Sequence, residues 1–155
     1  MNLVNAELTK ITVNTFITTK ISFVNMVSEL CDHLPGADVD EVAGAVGLDS
    51  RIGKKYFKGG LGYGGPCFPR DNIAFTSLAK TFNVDATIAL ATDQINERQV
   101  DRLLSKIKRL TSGRKFIGIL GLTYKCDTPV TECSQSIMVA NRLAKEGYRL
   151  SLIHI

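Results

Sequence analysis

The sequence predicts a mainly α-helical unit with long helices, followed by the start of an α/β, Rossmann-like unit. Two observations carry this. Residues 3–33 contain neither Pro nor Gly and repeat apolar positions at helical spacing: Val4, Leu8 and Ile11, then Phe16, Ile17, Ile21, Val24, Val27 and Leu30. From Arg114 onward the pattern switches to short apolar runs bounded by glycine, on either side of a helical stretch.

In order along the chain, the first helix carries apolar residues around much of its circumference and is expected to be largely buried. Pro35-Gly36 ends it. A short helix is predicted over Val39–Val46, with Asp38 as N-cap and Gly47 past its end. Asp71–Phe82 reads as a third helix. A fourth, long helix runs from Asp85 to Leu110 on Ile88, Leu90, Ala91, Ile95, Val100, Leu103, Leu104 and Ile107, and Thr111-Ser112-Gly113 closes it. Lys115–Gly121 then reads as a buried parallel strand, residues 134–146 as a helix, and Tyr148–Ile155 as a second strand, the opening of a βαβ unit. Two strands do not stand alone, so this piece is expected to be truncated. The expected division is 1–110 and 111–155.

Composition narrows the class. Hydrophobic residues make up 45% and charged residues 22%, which suits a folded, soluble chain. No stretch approaches the roughly 18 consecutive apolar residues of a membrane span, and Met1–Glu7 lacks the pattern of a signal peptide. Cys31, Cys67, Cys126 and Cys133 form no CxxC pair, and only His33 and His154 are available to help hold zinc, so no metal site is expected. Scattered thiols without a secretion signal point to a reducing, cytoplasmic setting. A net charge of +4 suits a phosphate-bearing small molecule as well as nucleic acid. The basic loop lacks the aromatic interleaving of single-strand binders, and no nucleic-acid partner is expected.

Residues 51–70 are the most informative. They hold six glycines and five basic residues with no acid. Glycine at this density lets backbone N–H groups approach a ligand closely, and the cations favour a phosphate. No Gly-Lys-Ser/Thr follows, so this is not a Walker A loop. Cys67 precedes Pro69, a residue favoured in a first helical turn. A thiol at a helix N-terminus beside Arg70 is a competent nucleophile, with Asp71 near enough to orient a water or hold a cation. The alternative is a small buried Cys in a tight turn, with Asp71 only a cap. Lys10 and Asn14, at i and i+4, share a helix face. They read either as a solvated stripe or as a Lys and an amide facing a developing oxyanion.

Four blocks resemble the UDP-glucose/GDP-mannose dehydrogenase family: Ala6-Glu7-Leu8-x-Lys10-x-x-x-Asn14, Arg51-Ile52-Gly53, Gly62-Tyr63-Gly64-Gly65-Pro66-Cys67-Phe68-Pro69-Arg70-Asp71, and Gly121-Leu122-Thr123-Tyr124-Lys125. They lie in order and cover nearly the whole chain. The resemblance implies part of a nucleotide-sugar 6-dehydrogenase of polysaccharide biosynthesis, which oxidises the sugar C6 alcohol to a carboxylate with NAD used twice. Cys67 would form the thiohemiacetal and then the thioester that water releases. Lys10 and Asn14 would stabilise oxyanions, and Asp71 would position water and Lys10. Arg51 would reach a neighbouring subunit's sugar site. Lys58 through Gly64, with Gly60 and Tyr63 among them, would wrap the sugar nucleotide, and Tyr124 and Lys125 would contact it from a UDP-binding C-terminal domain. Phe68, Pro69 and Arg70, with Cys67, would border the nicotinamide.

The sequence also departs from the family. Its N-terminal Rossmann domain, with the glycine fingerprint, is not in this sequence, so the chain alone is expected to be inactive. Where many members carry Asp-x-Arg after the Lys125 block, this chain has Val130-Thr131-Glu132, which puts one cofactor contact in doubt. A homodimer through the long helices is expected. The competing reading is a non-catalytic helical dimerisation module, which a fast-reacting Cys67 would discriminate against.

Overall fold

The computed structural model describes residues 1–153; of the second predicted strand, residues 154 and 155 lie outside them. The chain is mainly helical with one small parallel sheet. The order is α1 (Leu3–Cys31), α2 (Val39–Val46), α3 (Phe68–Thr81), α4 (Thr87–Thr111), β1 (Phe116–Leu120), α5 (Gln135–Lys145) and β2 (Arg149–Ile153). α1 begins at Asn2, whose side chain accepts from the Asn5 N–H, and α2 begins at Asp38, which accepts from Asp40 and Glu41. α3 begins three residues before its expected start, because Cys67 takes the N-cap position and Pro69 fits the first turn. α4 begins at Thr87, two residues later than expected, and ends on Ser112 in the left-handed region.

α1, α3 and α4 pack on one another, and α2 lies against α1. The surface that α1 buries corrects the expectation of a largely buried apolar helix. Its buried residues are Thr15, Thr18, Ser22, Asn25 and Ser28, with Val24 the one apolar member. Phe16, Phe23 and Leu30 project outward at 65%, 49% and 58% exposure. The reason is geometric. Small side chains let α1 and α4 approach closely, and most of the buried hydroxyls and amides bond backbone, the Thr15 hydroxyl being an exception without a partner. Ser22 Oγ donates to the Thr92 carbonyl at 2.9 Å, and Asn72 Nδ2 on α3 donates to the Ala89 carbonyl on α4 at 3.0 Å.

Apolar packing sits in two clusters. Val24, Ala43 and Phe57 join α1, α2 and the segment after it, flanked by Val39 and Val46. Val100 and Leu104 of α4 join Val139 and Leu143 of α5, with Ile117, Ile119 and Leu150 beneath. The second cluster roots α4 in the sheet layer. β1 and β2 pair in parallel, from Phe116 opposite Arg149 to Leu120 opposite Ile153. β1 is expected from its sequence to be a buried strand. Among the described residues only the Ile117 and Ile119 face is covered, while Phe116 and Leu120 are 69% and 65% exposed.

The far end of the α1–α4 contact is closed by charge. The Arg102 guanidinium bonds the Asp32 carboxylate, the Ser28 hydroxyl at 2.9 Å and the Asn25 carbonyl at 3.3 Å, and Lys106 also reaches Asp32. Burial pushes the Asp32 carboxyl up, but hydrogen bonds from Lys106 and Arg102 outweigh it and hold it below the usual carboxylate range. Arg102→Ala should therefore cost about 2 kcal/mol in urea denaturation at neutral pH, because it strips three helix-to-helix bonds and leaves only Lys106 on the carboxylate. A group with a depressed folded-state pKa stabilises above its unfolded value and loses that contribution as pH falls through the folded one. The deficit should therefore narrow below about pH 4, and a deficit that stays constant down to pH 2 would contradict this.

Candidate active site

The site lies where the first turns of α3 meet the N-terminal half of α1. Asp71 sits one turn into α3 and is 3% exposed. Its Oδ2 accepts from Lys10 Nζ and from Asn14 Nδ2, both on α1, and its Oδ1 lies 3.5 Å from Arg70 Nε. Lys10 and Asn14 are thus drawn together by a buried carboxylate from another helix, rather than forming a solvated stripe. Burial pushes the Asp71 carboxyl up, yet the hydrogen bonds from Lys10 and Asn14, with the charges of Lys10 and Arg70, outweigh this and hold it low. Asp71 does not cap the helix with its side chain; its N–H bonds the Cys67 carbonyl at 2.9 Å.

Cys67 is exposed and free, and no side-chain capping bond engages it. Exposure removes the reading of a small buried cysteine. The i, i+4 relation of Cys67 and Asp71 places thiol and carboxylate on one side of the first turn. Lys10 and Asn14 each bond Asp71 through one donor. An ammonium has three donors and an amide two, so both retain donors for a second acceptor beside the carboxylate.

Backbone approach shapes the glycine run. Gly59, Gly62, Gly64 and Gly65 close on the protein itself rather than standing open to a ligand. Gly65 has φ +79°, and a Cβ there would lie 2.5 Å from the Tyr124 ring. Its N–H bonds the Glu132 carbonyl at 2.9 Å, and Gly64 abuts the Cys133 carbonyl. The segment leading from β1 to α5 therefore packs directly on the approach to Cys67. Gly60 is open on its Cβ side, while its N–H donates to Asn25 Oδ1 at 2.8 Å.

The other expected site residues are dispersed. Tyr63 is buried, its hydroxyl donating to Asp93 of α4; burial first, and then Asp93, push the phenol up. Phe68 packs edge-on against Tyr63 and Tyr56, with ring centroids 6.3 and 6.0 Å apart. Pro69 is half-buried, and Arg70 and Lys58 are exposed. Arg51 lies on the surface, its guanidinium forked onto Asp49 at 2.6 and 3.0 Å. Lys125 stands over the Tyr124 ring at 5.5 Å, and Glu132 takes part through its backbone carbonyl.

Two contributors escaped the sequence. Asn25 accepts from Gly60 N–H and donates to the Leu61 carbonyl, and Asn96 accepts from Tyr63 N–H and donates to the Tyr63 carbonyl. No sequence signal marked either of them: Asn25 shares its face of α1 with Ser22 and Ser28, and nothing in that pattern points to a distant backbone. Among the described residues no group of three or more His, Cys, Asp or Glu side chains gathers to hold a metal, and no helix is long and apolar enough to cross a membrane.

Asp71→Asn should destabilise the fold by about 1–2 kcal/mol at pH 7, since one acceptor oxygen becomes a donor facing Lys10. The wild-type advantage should disappear as pH falls through the depressed Asp71 value, because protonation then removes the same carboxylate. Paired thermal melts at pH 7 and pH 3 measure this, and an undiminished gap at low pH would contradict it.

Residues 4–98 match the model of the UDP-glucose/GDP-mannose dehydrogenase family, central domain. The chain is 44% identical over 150 residues to the UDP-glucose 6-dehydrogenase TuaD of Bacillus subtilis (strain 168), covering 94% of this chain and 32% of that protein. It is 37% identical over 141 residues to a UDP-glucose 6-dehydrogenase of Rickettsia typhi, covering 89% of this chain and 32% of the relative. Among solved structures, a UDP-glucose dehydrogenase from Pyrobaculum islandicum superposes with a TM-score of 0.91 at 36% identity, covering 97% of this chain and 35% of the other. The chain thus spans about a third of the length of the relatives it matches. On the family match, which covers more than half of its residues, the chain belongs to the UDP-glucose/GDP-mannose dehydrogenase family.

Proposed function

We propose that this chain is the part of an NAD-dependent nucleotide-sugar 6-dehydrogenase that carries its catalytic thiol, Cys67. The observation that supports it best is the convergence of Lys10 and Asn14 on Asp71, one helical turn from an exposed cysteine. A helix interface alone gives no reason to bury a carboxylate against an ammonium beside a free thiol, so the dimerisation-module reading leaves this cluster without a purpose.

In this reading Cys67 Sγ attacks the C6 aldehyde that follows from the first oxidation. The C–S bond forms, the carbonyl oxygen takes up negative charge, and the thiol proton passes to it to complete the thiohemiacetal. Free donors on Lys10 and Asn14 stabilise that oxyanion, as they do the alkoxide of the first oxidation. A second oxidation yields the thioester. Water held near Asp71 and Lys10 then adds to the thioester carbon, the C–S bond breaks, the acid leaves and the thiol regains its proton. NAD supplies the acceptor of two electrons in each oxidation. The chain's own fit to it is one border: Phe68 and Pro69 form an apolar first turn, and Arg70 places an exposed cation beside Cys67, which suits a phosphate-bearing cofactor.

The same reading divides the chain at residues 110 and 111, and assigns the sheet and α5 to the start of an α/β, nucleotide-binding C-terminal domain. It assigns the wrapping of the sugar nucleotide to Lys58, Gly60, Tyr63 and Gly64, further contacts to Tyr124 and Lys125, and a reach into a neighbouring subunit to the exposed Arg51. A homodimer through the outward Phe16, Phe23 and Leu30 face of α1, a cytoplasmic setting and a role in polysaccharide synthesis belong to it too. The identity of the sugar is left open among UDP-glucose, GDP-mannose and UDP-N-acetylhexosamines.

In an enzyme that carries this chain together with its cofactor-binding part, Cys67→Ser should bind substrate and stall, since the alkoxide is inaccessible at neutral pH; any ester that does form should resist hydrolysis and be visible as an adduct by intact-protein mass spectrometry. Lys10→Ala should turn over without adduct at a rate lower by about 10²–10³. Wild-type turnover by Cys67→Ser would remove the covalent mechanism. Sedimentation equilibrium of the chain should show self-association that Phe16→Asp weakens; a monomer at all concentrations would contradict the α1 interface.

A further inference from the structure

The peptide of Tyr63 is held from both sides by side-chain amides. Asn96 of α4 accepts from its N–H at 2.7 Å and donates to its carbonyl at 3.1 Å, and Gln135 of α5 donates to the same carbonyl at 3.4 Å. Residues 57–67 form neither helix nor strand, so this backbone has no ladder to define its course. Asn96 acts as a substitute strand edge, bonding the donor and the acceptor of one residue at once. Its fit is tight: a Cβ on Gly62 would stand 2.3 Å from Asn96 Oδ1 and 3.0 Å from Gln135 Oε1. That Gln135 oxygen is buried without a partner, so the amide is held by packing and by the bonds its nitrogen donates to this carbonyl and to Met138 Sδ at 3.7 Å.

From Tyr63 the chain reaches Cys67 with little slack. Gly64 abuts the Cys133 carbonyl, Gly65 is bonded to Glu132 and covered by Tyr124, and Pro66 has a restricted φ. The Tyr63 ring meets Phe68, the residue after Cys67, edge-on. Displacing the Tyr63 peptide therefore displaces both the backbone and the aromatic support of the thiol. We propose that Asn96 is a positioning residue for Cys67, acting through the Tyr63 peptide, and that glycine is required at position 62 to let it do so. This rests on the proposed role of Cys67, but it makes Asn96, which touches neither the thiol nor Asp71, a determinant of how that thiol is presented.

Iodoacetamide labelling of the whole chain, read peptide by peptide, tests it. Cys126, exposed in the segment after β1, is the internal reference. Asn96→Ala should change the Cys67-to-Cys126 labelling ratio by at least about fivefold from wild type, since displacements near 1 Å alter reactivity on that scale. Gly62→Ala should shift the ratio comparably by pushing Asn96 away. The double variant should lie close to Asn96→Ala alone, because the oxygen 2.3 Å from the added Cβ is gone and only the 3.0 Å approach to Gln135 Oε1 remains. Should Asn96→Ala fail to fold, Asn96→Asp is read in the same way: it keeps the acceptor for Tyr63 N–H and loses the donor to the carbonyl. A merely structural role would raise labelling of both cysteines together and leave the ratio unchanged. Ratios within about twofold of wild type, or additive effects in the double variant, would overturn the inference. The proposed function is tested separately by the wild-type Cys67 rate itself, since the variant-to-wild-type ratio is informative whatever that rate is.

Discussion

The Asp71 carboxylate, buried between α1 and α3, is the contact around which the candidate site is arranged. An isolated carboxylate in that position would be expensive, and it is tolerable because an ammonium, an amide and a nearby guanidinium face it. The same constraint orients both helices. Lys10 and Asn14 reach one oxygen atom only if α1 crosses α3 with that face inward, and α3 presents Asp71 only if its first turn begins at Phe68. Cys67 is then left at the N-cap, exposed and with no capping bond to engage its sulfur.

The interior around this contact is polar to an unusual degree. Thr15, Thr18, Ser22, Asn25, Ser28, Asn72, Thr92 and Gln99 are all buried where α1, α3 and α4 meet. Hydrogen bonds, mostly to backbone, make this acceptable for all but the Thr15 hydroxyl, which has no partner. Thr18 returns to the Thr15 carbonyl, Ser22 crosses to Thr92, Asn72 crosses to Ala89, and Gln99 bonds the Ile95 carbonyl. Such bonds are directional, so a one-residue slip between helices would break several together, whereas an apolar interface would tolerate it. That registry suits a site whose donors come from one helix and whose thiol comes from another.

The packing of the 121–135 segment against the glycine run adds a second constraint. Tyr124, Glu132 and Gln135 each meet residues 63–65 through a ring, a carbonyl or an amide. The glycines are needed there for the protein's own close packing, a demand as strict as that of any ligand. The segment leading to α5 and the glycine run therefore share atoms in contact, while Val100 and Leu104 of α4 hold α5 and the sheet in one apolar cluster.

The sequence by itself determined the elements, because local rules govern them: the unbroken helix read over residues 3–33, which runs from Leu3 to Cys31, the Asp38 cap, the Ser112-Gly113 stop and the β–α–β switch after Arg114 are all found in the fold. It also marked Lys10, Asn14, Cys67 and Asp71, since their residue types and spacing match a known family. Only the tertiary structure decided which way α1 faces. Periodicity records that apolar positions repeat, but which face turns inward depends on partners elsewhere in the chain. Those partners were Thr92, Asp71 and Arg102, so hydroxyls and amides went in while Phe16, Phe23 and Leu30 went out. The roles of Asn25 and Asn96 were likewise invisible, because each binds backbone more than 30 residues away, and a backbone carbonyl leaves no mark in a sequence.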